Sequence, residues 1–330
     1  MERTEPAQAG AQGPAPEAEI DERGWALVDG QVIPLAEASV SVAAHGLNYG
    51  TGCFEGIRGY WQEQHQELYV LRLLEHYERF ARSAALLRIE LPADPEQMAR
   101  STCDLLKGQN VRQDVYIRPL ALKVSRSIKV GLRPLRPLVA VYTTPLGDYL
   151  PLDGLAVQVS SWRRIPDNAI PSRAKTTGSY VNASLALDQA KSDGYDDAIL
   201  LDQGGHVAEA SAANLFIVRS GTLITPPVTA DILEGITRQM MLELADQFAI
   251  PCLEREVDRT ELYMADELFL TGTGVQVAPV TSVDRRPVAD GQVGPITRRL
   301  QEQFFKAVRG LDPTRLGWLT PIYDQAHTST

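Results

Sequence analysis

Cysteine is scarce in this chain. Cys53, Cys103 and Cys252 are odd in number and far apart, which excludes a disulfide framework and a cysteine zinc site, and no C-x-x-C pair is present to form a thiol switch. The five histidines (His45, His65, His76, His206 and His327) are scattered without metal-ligand spacing. No apolar run is long enough to cross a bilayer. The start of the chain lacks a basic-then-apolar leader; residues 1–19, rich in Ala, Pro, Gly and Glu, read as a disordered tail. Basic blocks are missing too. A net charge of −10 and a pI near 5.1 argue against nucleic acid or an anionic membrane as partner. Neither a G-x-G-x-x-G fingerprint nor an internal repeat supports a nucleotide enzyme. A reducing cytoplasm and a small-molecule partner fit what remains, and local cationic groups can still bind an anionic substrate.

What is present is enough apolar residue, 44% of 330, for one or two sizeable cores. Asp29-Gly30 between apolar flanks predicts a hairpin. Further on, alternation puts Phe54, Gly56, Arg58 and Tyr60 on one strand face and Cys53, Glu55 and Ile57 on the other. A strand at 68–71 leads into a helix with apolar positions Leu73, Leu74, Tyr77, Phe80, Ala81, Ala84 and Leu87. Arg79 lies off that stripe and on the pattern alone reads as a solvated surface arginine. After a helix at 95–106, the strand 115–120 sets Tyr116 and Arg118 on one face. That pair suits a carboxylate, and equally suits cross-strand pairing. Residues 123–137 read as an exposed loop able to close over a substrate, and 138–143 as a buried strand. Proline and glycine at 145–151 mark a linker. The expected division is a small N-terminal α/β domain at 20–144, a linker at 145–154 and a larger C-terminal domain at 155–330.

The chain is organised around residues 172–238. Lys175 sits in S-R-A-K-T-T-G-S-Y, followed by a helix to Gly194, a strand at 198–201, a turn at Gln203-Gly204-Gly205 and a hairpin carrying Glu209. Gly235-Ile236-Thr237 then opens a helix whose apolar positions are Ile236, Met240, Met241, Leu244, Ala245 and Phe248. An amine, a carboxylate and a helix start are thereby supplied, and a helix start favours an anion such as phosphate. Pyridoxal 5′-phosphate needs all three. Each also has a plain reading: a solvated lysine, an exposed hairpin carboxylate and an ordinary helix start. Likewise, Tyr180 reads as an aromatic packed at a helix start, and the break at Thr271-Gly272-Thr273-Gly274 as a tight turn or as a set of N–H groups for an anion.

The literal pattern goes further. E-x-S-x-x-N-L-F at 209–216, L-I-T at 223–225 and L-E-G-I-T-R at 233–238 together resemble the signature of class IV (fold type IV) pyridoxal-phosphate aminotransferases. The resemblance runs from about Trp25 to Trp318, and Y-G-T-G-C-F-E-G-I-R at 49–58 is similar to the branched-chain amino acid aminotransferase branch. It implies an α+β, two-domain fold with the cofactor at the domain interface. Lys175 would form the Schiff base and later act as general base, for which its amine must be deprotonated. Glu209 would keep the pyridine nitrogen protonated, and Tyr180 would hydrogen-bond the phenolate oxygen. Arg79, Ile236, Thr237 and Thr273 would hold the phosphate. Tyr49, Phe54 and Arg58 would form or support the side-chain pocket, and Tyr116, Arg118, Thr273 and Gly274 would bind substrate, with no metal.

The implied reaction is reversible amino transfer between leucine, isoleucine or valine and 2-oxoglutarate, by a ping-pong mechanism, in a homodimer or larger homo-oligomer whose neighbouring subunit can complete the pocket. Other branches are amine transaminase and, with corresponding segments expected to depart from F-E-G-x-R, D-amino acid aminotransferase and aminodeoxychorismate lyase. A non-catalytic pyridoxal-phosphate scaffold would have lost Lys175 or the carboxylate receptor, and both are present. Two positions differ from the pattern: Leu146, where relatives can carry tryptophan, and Gly274, where alanine is common. The first touches substrate preference more than chemistry, and the second would loosen the turn.

Overall fold

The structure is a computed structural model that describes Ile20, residues 22–148 and residues 150–323; the tail expected at 1–19 lies outside the described residues. Strands β1 (Trp25–Val28) and β2 (Gln31–Pro34) form the predicted hairpin. Both turn residues, Asp29 and Gly30, have positive φ (47° and 84°), the backbone that a two-residue hairpin turn requires. The short helix α1 (His45–Tyr49) leads to β3 (Gly52–Phe54), β4 (Ile57–Gln62), β5 (Glu67–Leu71), α2 (Leu73–Leu86), α3 (Pro95–Gly108), β6 (Val115–Lys123) and β7 (Pro137–Pro145). At α3, the Asp94 side chain accepts from the Gln97 N–H at 2.7 Å and proline takes the first helical position, a sequence-encoded start.

These strands make an antiparallel sheet ordered β5-β4-β6-β7-β1-β2, with β3 on β6 and the C-terminal strand Leu319–Pro321 on β5. Helices α2 and α3 cover it through a core of Ile57, Leu68, Tyr77, Phe80, Leu105 and Ile117. Lys123 departs from the expected loop: it ends β6, buried on the same face as Val115, Ile117 and Ala121. Strand alternation carries its stem inward, and its ammonium donates to the Arg88 carbonyl at 2.7 Å.

The second sheet is mixed. It is built from β8 (Leu155–Arg163), β9 (Asp197–Leu201), β10 (Val207–Ala210), β11 (Asn214–Arg219), β12 (Thr222–Thr225), β13 (Cys252–Glu254), β14 (Glu267–Gly272), β15 (Gln276–Val283) and β16 (Arg286–Pro287). The order is β10-β9-β8-β15-β14-β11-β12-β13, with β16 on β15. The parallel pair β8–β9 requires a crossover, which α4 (Tyr180–Ser192) provides. Helices α5 (Ile236–Gln247) and α6 (Pro295–Val308) build a third core with Phe216, Phe269 and Leu244, and Tyr60 and Leu71 of the first sheet enter it. The last strand, β17 (Leu319–Pro321), is the one that returns to β5. Around it, Arg309 grips Asp114 with two hydrogen bonds of 2.6 and 2.7 Å, and Arg72 pairs with Glu243 of α5 at 2.5 Å. The two sheets are therefore joined by apolar packing and by ion pairs.

Candidate active site

The loop that carries Lys175 leaves the second half of the chain and docks on the first sheet. Thr177 N–H donates to the Gly52 carbonyl at 2.9 Å, and Phe54 N–H donates to the Lys175 carbonyl at 3.0 Å. The Lys175 N–H is taken by Ser83 Oγ at 3.1 Å. Close approach at Gly50 makes the docking possible, since a Cβ there would lie 2.7 Å from the Gly178 Cα, and its φ of +63° also favours glycine. The lysine thus stands at a junction of both halves, its backbone pinned to the first sheet and to α2.

Around it opens a cavity of about 640 Å³. Of the predicted residues, it is lined by Phe54, Arg79, Tyr116, Arg118, Lys175, Tyr180, Glu209, Ile236, Thr237, Thr273 and Gly274. Lys175 Nζ hydrogen-bonds the Tyr180 hydroxyl and lies 4.9 Å from the ring centroids of both Phe54 and Tyr180. Arg118 stacks its guanidinium 4.6 Å over the Phe54 ring and donates to Tyr116 Oη at 3.0 Å. Its Nε is buried without a partner, which leaves a cation whose hydrogen bonding is incomplete.

Two predicted residues lie elsewhere. Arg58 is buried behind the cavity wall and donates to the carbonyls of Gly147 (2.6 Å), Leu146 (3.2 Å) and Gly274 (3.2 Å). It ties Leu146 and Gly147 to the β14–β15 turn. Tyr49 is exposed at the end of α1, its hydroxyl donating to the Ile128 carbonyl at 2.8 Å.

Arg79 is buried rather than solvated. Its Nη1 donates to the Glu234 carbonyl at 2.9 Å, one residue before Gly235, the N-cap of α5. No side chain caps α5, so its first N–H groups remain for an anion. Glycine is required there: a Cβ on Gly235 would meet Asn214 Oδ1 at 1.9 Å. Asn214 in turn donates to Glu209 Oε2 at 3.0 Å, as does the Leu233 N–H at 3.1 Å, while Arg164 Nη2 pairs with Oε1 at 2.8 Å. A register irregularity between Val207 and Glu209 in β10 accompanies this orientation, a common device for aiming a side chain. Burial pushes the Glu209 pKa up, against the pull of Arg164, the Leu233 N–H and Lys175.

Sequence reading missed Arg164, Asn214 and Ser83 as parts of this arrangement, and it gave Glu55 no role. Glu55 left a signal, because a carboxylate on the same strand face as Cys53 and Ile57 needs a cationic partner. Arg164 left none, since its partner comes from a distant hairpin.

The family model described as amino-transferase class IV matches residues 52–283. A probable branched-chain-amino-acid aminotransferase of Aquifex aeolicus is 44% identical over 303 residues, covering 91% of this chain and 97% of its own. The crystal structure of a branched-chain aminotransferase from Thermoproteus uzoniensis with norvaline superposes with a TM-score of 0.88 at 40% identity, covering 91% of this chain and 99% of that one. A branched-chain amino acid aminotransferase from Thermobaculum terrenum in its PLP form gives 0.87 at 37% identity, covering 92% and 99%. With a junction lysine, a carboxylate on a hairpin and an uncapped helix start on one cavity, and with likeness across nearly the whole length, this chain belongs to the class IV aminotransferases.

Proposed function

We propose that the chain is a branched-chain amino acid aminotransferase using pyridoxal 5′-phosphate, reversibly moving the amino group of leucine, isoleucine or valine to 2-oxoglutarate. The observation that carries this reading is one cavity holding a primary amine on a phenol, a buried carboxylate, and a guanidinium beside an uncapped helix start. These residues fit the cofactor. Arg79 commits only part of its donor fork to Glu55 and Glu234, leaving N–H groups for a phosphate together with Ile236, Thr237 and Thr273. When bound, pyridoxal phosphate supplies a carbonyl for the amine and a ring that accepts electrons from the substrate α-carbon.

Lys175 Nζ serves as nucleophile and then as the base that takes the substrate α-proton, and Tyr180 Oη holds it in place. Glu209, gripped by Arg164 and Asn214, is the acceptor for a proton on the ring nitrogen. Opposite charges about 4 Å apart attract by about 4 kcal/mol at an effective dielectric near 20, before desolvation is subtracted. Tyr116 and Arg118 receive a substrate carboxylate with the turn at Thr273 and Gly274, the unpartnered Arg118 Nε supporting that role. Phe54 and Leu146 give the branched side chain an apolar wall, and Arg58 holds that wall through the linker carbonyls.

The assembly is a homodimer or larger. Tyr49 shares an exposed apolar surface with Leu47, Val42, Ile128 (92% exposed) and Val130 (72%). The 128–130 stretch is bound to α1 through Tyr49 Oη and through His45 Nε2, 3.0 Å from the Lys129 carbonyl. Such a patch suits burial against a second copy, whose Tyr49 would complete the pocket. The domain division is 20–144, 145–154 and 155–330, with β17 returning to the first sheet. No helix among the described residues is long and apolar enough to cross a membrane; the cytoplasm suits the three free thiols.

The test is a single-turnover absorbance scan of the holo-protein with L-leucine, D-alanine and an aromatic amine, repeated with Lys175→Ala. Conversion of the cofactor band by L-leucine alone, lost in the variant, is expected. A response only to D-alanine or to the amine would move the protein to another branch.

A further inference from the structure

On α2, His76, Arg79 and Ser83 fall on one helical face by their spacing, and all three are buried. Arg79 lines the cavity and Ser83 holds the Lys175 N–H. Glu55 stands behind them, fully buried. Its Oε1 accepts from Arg79 Nε at 2.8 Å, and its Oε2 accepts from Arg79 Nη2 at 2.8 Å and pairs with His76 Nδ1 at 2.8 Å. Burial pushes the His76 pKa down, against the pull of Glu55, and the contact with the Glu55 carboxylate sets the Nδ1 proton toward it. Neither Glu55 nor His76 lines the cavity. Glu55 is nevertheless set by the backbone that sets the lysine: its N–H donates to the Pro119 carbonyl at 2.8 Å, and its neighbour Phe54 pairs with Lys175.

We propose that Glu55, buttressed by His76, is a positioning residue that fixes the plane of the Arg79 guanidinium and so sets affinity for the cofactor phosphate without touching the cofactor. This rests on Arg79 being the phosphate-binding arginine. Two effects of Glu55 oppose each other. Its charge cancels that of Arg79 and weakens long-range attraction of a dianion, whereas its fork-on-fork geometry orders a side chain that otherwise samples many rotamers. Orientation outweighs charge here, because the phosphate binds at contact distance, where the direction of each N–H matters most.

Apo-protein titrated with pyridoxal 5′-phosphate and, separately, with phosphate-free pyridoxal tests this. Glu55→Gln is expected to weaken pyridoxal-phosphate binding by about tenfold, in the range for removal of a ligand's supporting partner, and to change pyridoxal binding by less than about twofold. Adding Glu55→Gln to Arg79→Gln is expected to have no further effect. Glu55→Asp, which keeps the charge but withdraws the carboxylate, is expected to show the same selective loss and serves if the glutamine variant does not fold. Equal losses for both ligands, unchanged binding, or tighter pyridoxal-phosphate binding would overturn the proposal. If Arg79→Gln alone leaves pyridoxal-phosphate affinity intact, the phosphate-arginine reading fails first and is identified as the cause.

Discussion

Glu55, just after β3 in the first sheet, and Glu209, on β10 in the second, are both buried and each is bound by an arginine. Their acidities nonetheless move in opposite directions. For Glu55, burial opposes ionisation, but the Arg79 charge and hydrogen bonds, with those of His76, outweigh it and hold the carboxyl below the usual range. For Glu209, burial wins and the pKa is raised. The difference lies in the donors. Glu55 receives two nitrogens of one guanidinium and an imidazole, whereas Glu209 receives one guanidinium nitrogen and two neutral N–H donors. Charge-assisted bidentate contacts are roughly twice as strong as neutral ones. Equal burial therefore yields a strongly acidic, sealed ion pair in one place and a less acidic carboxyl on a single guanidinium nitrogen in the other.

Breaking the sealed pair has the largest expected effect. Glu55→Gln leaves Arg79 buried and uncompensated, and is expected to cost about 3–5 kcal/mol of stability at neutral pH. Because the folded pKa of Glu55 is depressed, its contribution is present above the ordinary carboxylate value of about 4.3 and is lost as pH falls below it. Denaturation of wild type and variant across pH 3–7 (roughly the range set by that value) should show the gap closing only at the acid end.

Next comes Glu209. On the proposed reading, Glu209→Gln would remove the anionic partner of the ring nitrogen and is expected to lower kcat by about 100-fold, less than the full Coulomb attraction because desolvation is relieved; steady-state rates with L-leucine check it. Arg164→Gln should be milder, about tenfold in kcat/KM near neutrality, or roughly one pKa unit. Arg164 lowers the Glu209 pKa, so its loss raises that pKa further and moves the acid limb of the rate profile to higher pH, which a pH–rate series reads. The smallest effect sharpens the contrast by sign. In apo-protein, Glu209→Gln should leave stability at neutral pH equal or slightly higher, since a raised folded pKa makes ionisation unfavourable for the fold. Melting temperatures of the apo forms would show it.

Much of this arrangement was legible in the sequence. Lys175, Glu209 and the start of α5 were readable because local motifs specify them, and the first-sheet hairpin because Asp29-Gly30 dictates its backbone. Periodicity failed at Arg79: an off-stripe arginine reads as solvated unless its partner is known, and Glu55 lies more than twenty residues away, in the break between β3 and β4. At Lys123 the loop assignment failed because a strand with a cationic end looks like its termination. Arg58 was legible as a support of the pocket wall but not in its partners, since the carbonyls of Leu146, Gly147 and Gly274 that it binds lie far away in sequence.

The last strand carries a consequence for how the chain is made. Leu319, Thr320 and Pro321 of β17 pair with Leu71, Val70 and Tyr69 of β5, so the edge of the first sheet is completed by a strand that follows the whole second sheet in sequence. During synthesis β5 must wait with its backbone groups unpaired, and an open edge is a template for wrong partners. The basic and aromatic knot just before it, with Trp318 covered by Arg72 and Arg315 at 4.8 and 4.6 Å, latches the strand once it arrives. A nascent chain that has not yet reached residue 319 therefore carries that edge of β5 open.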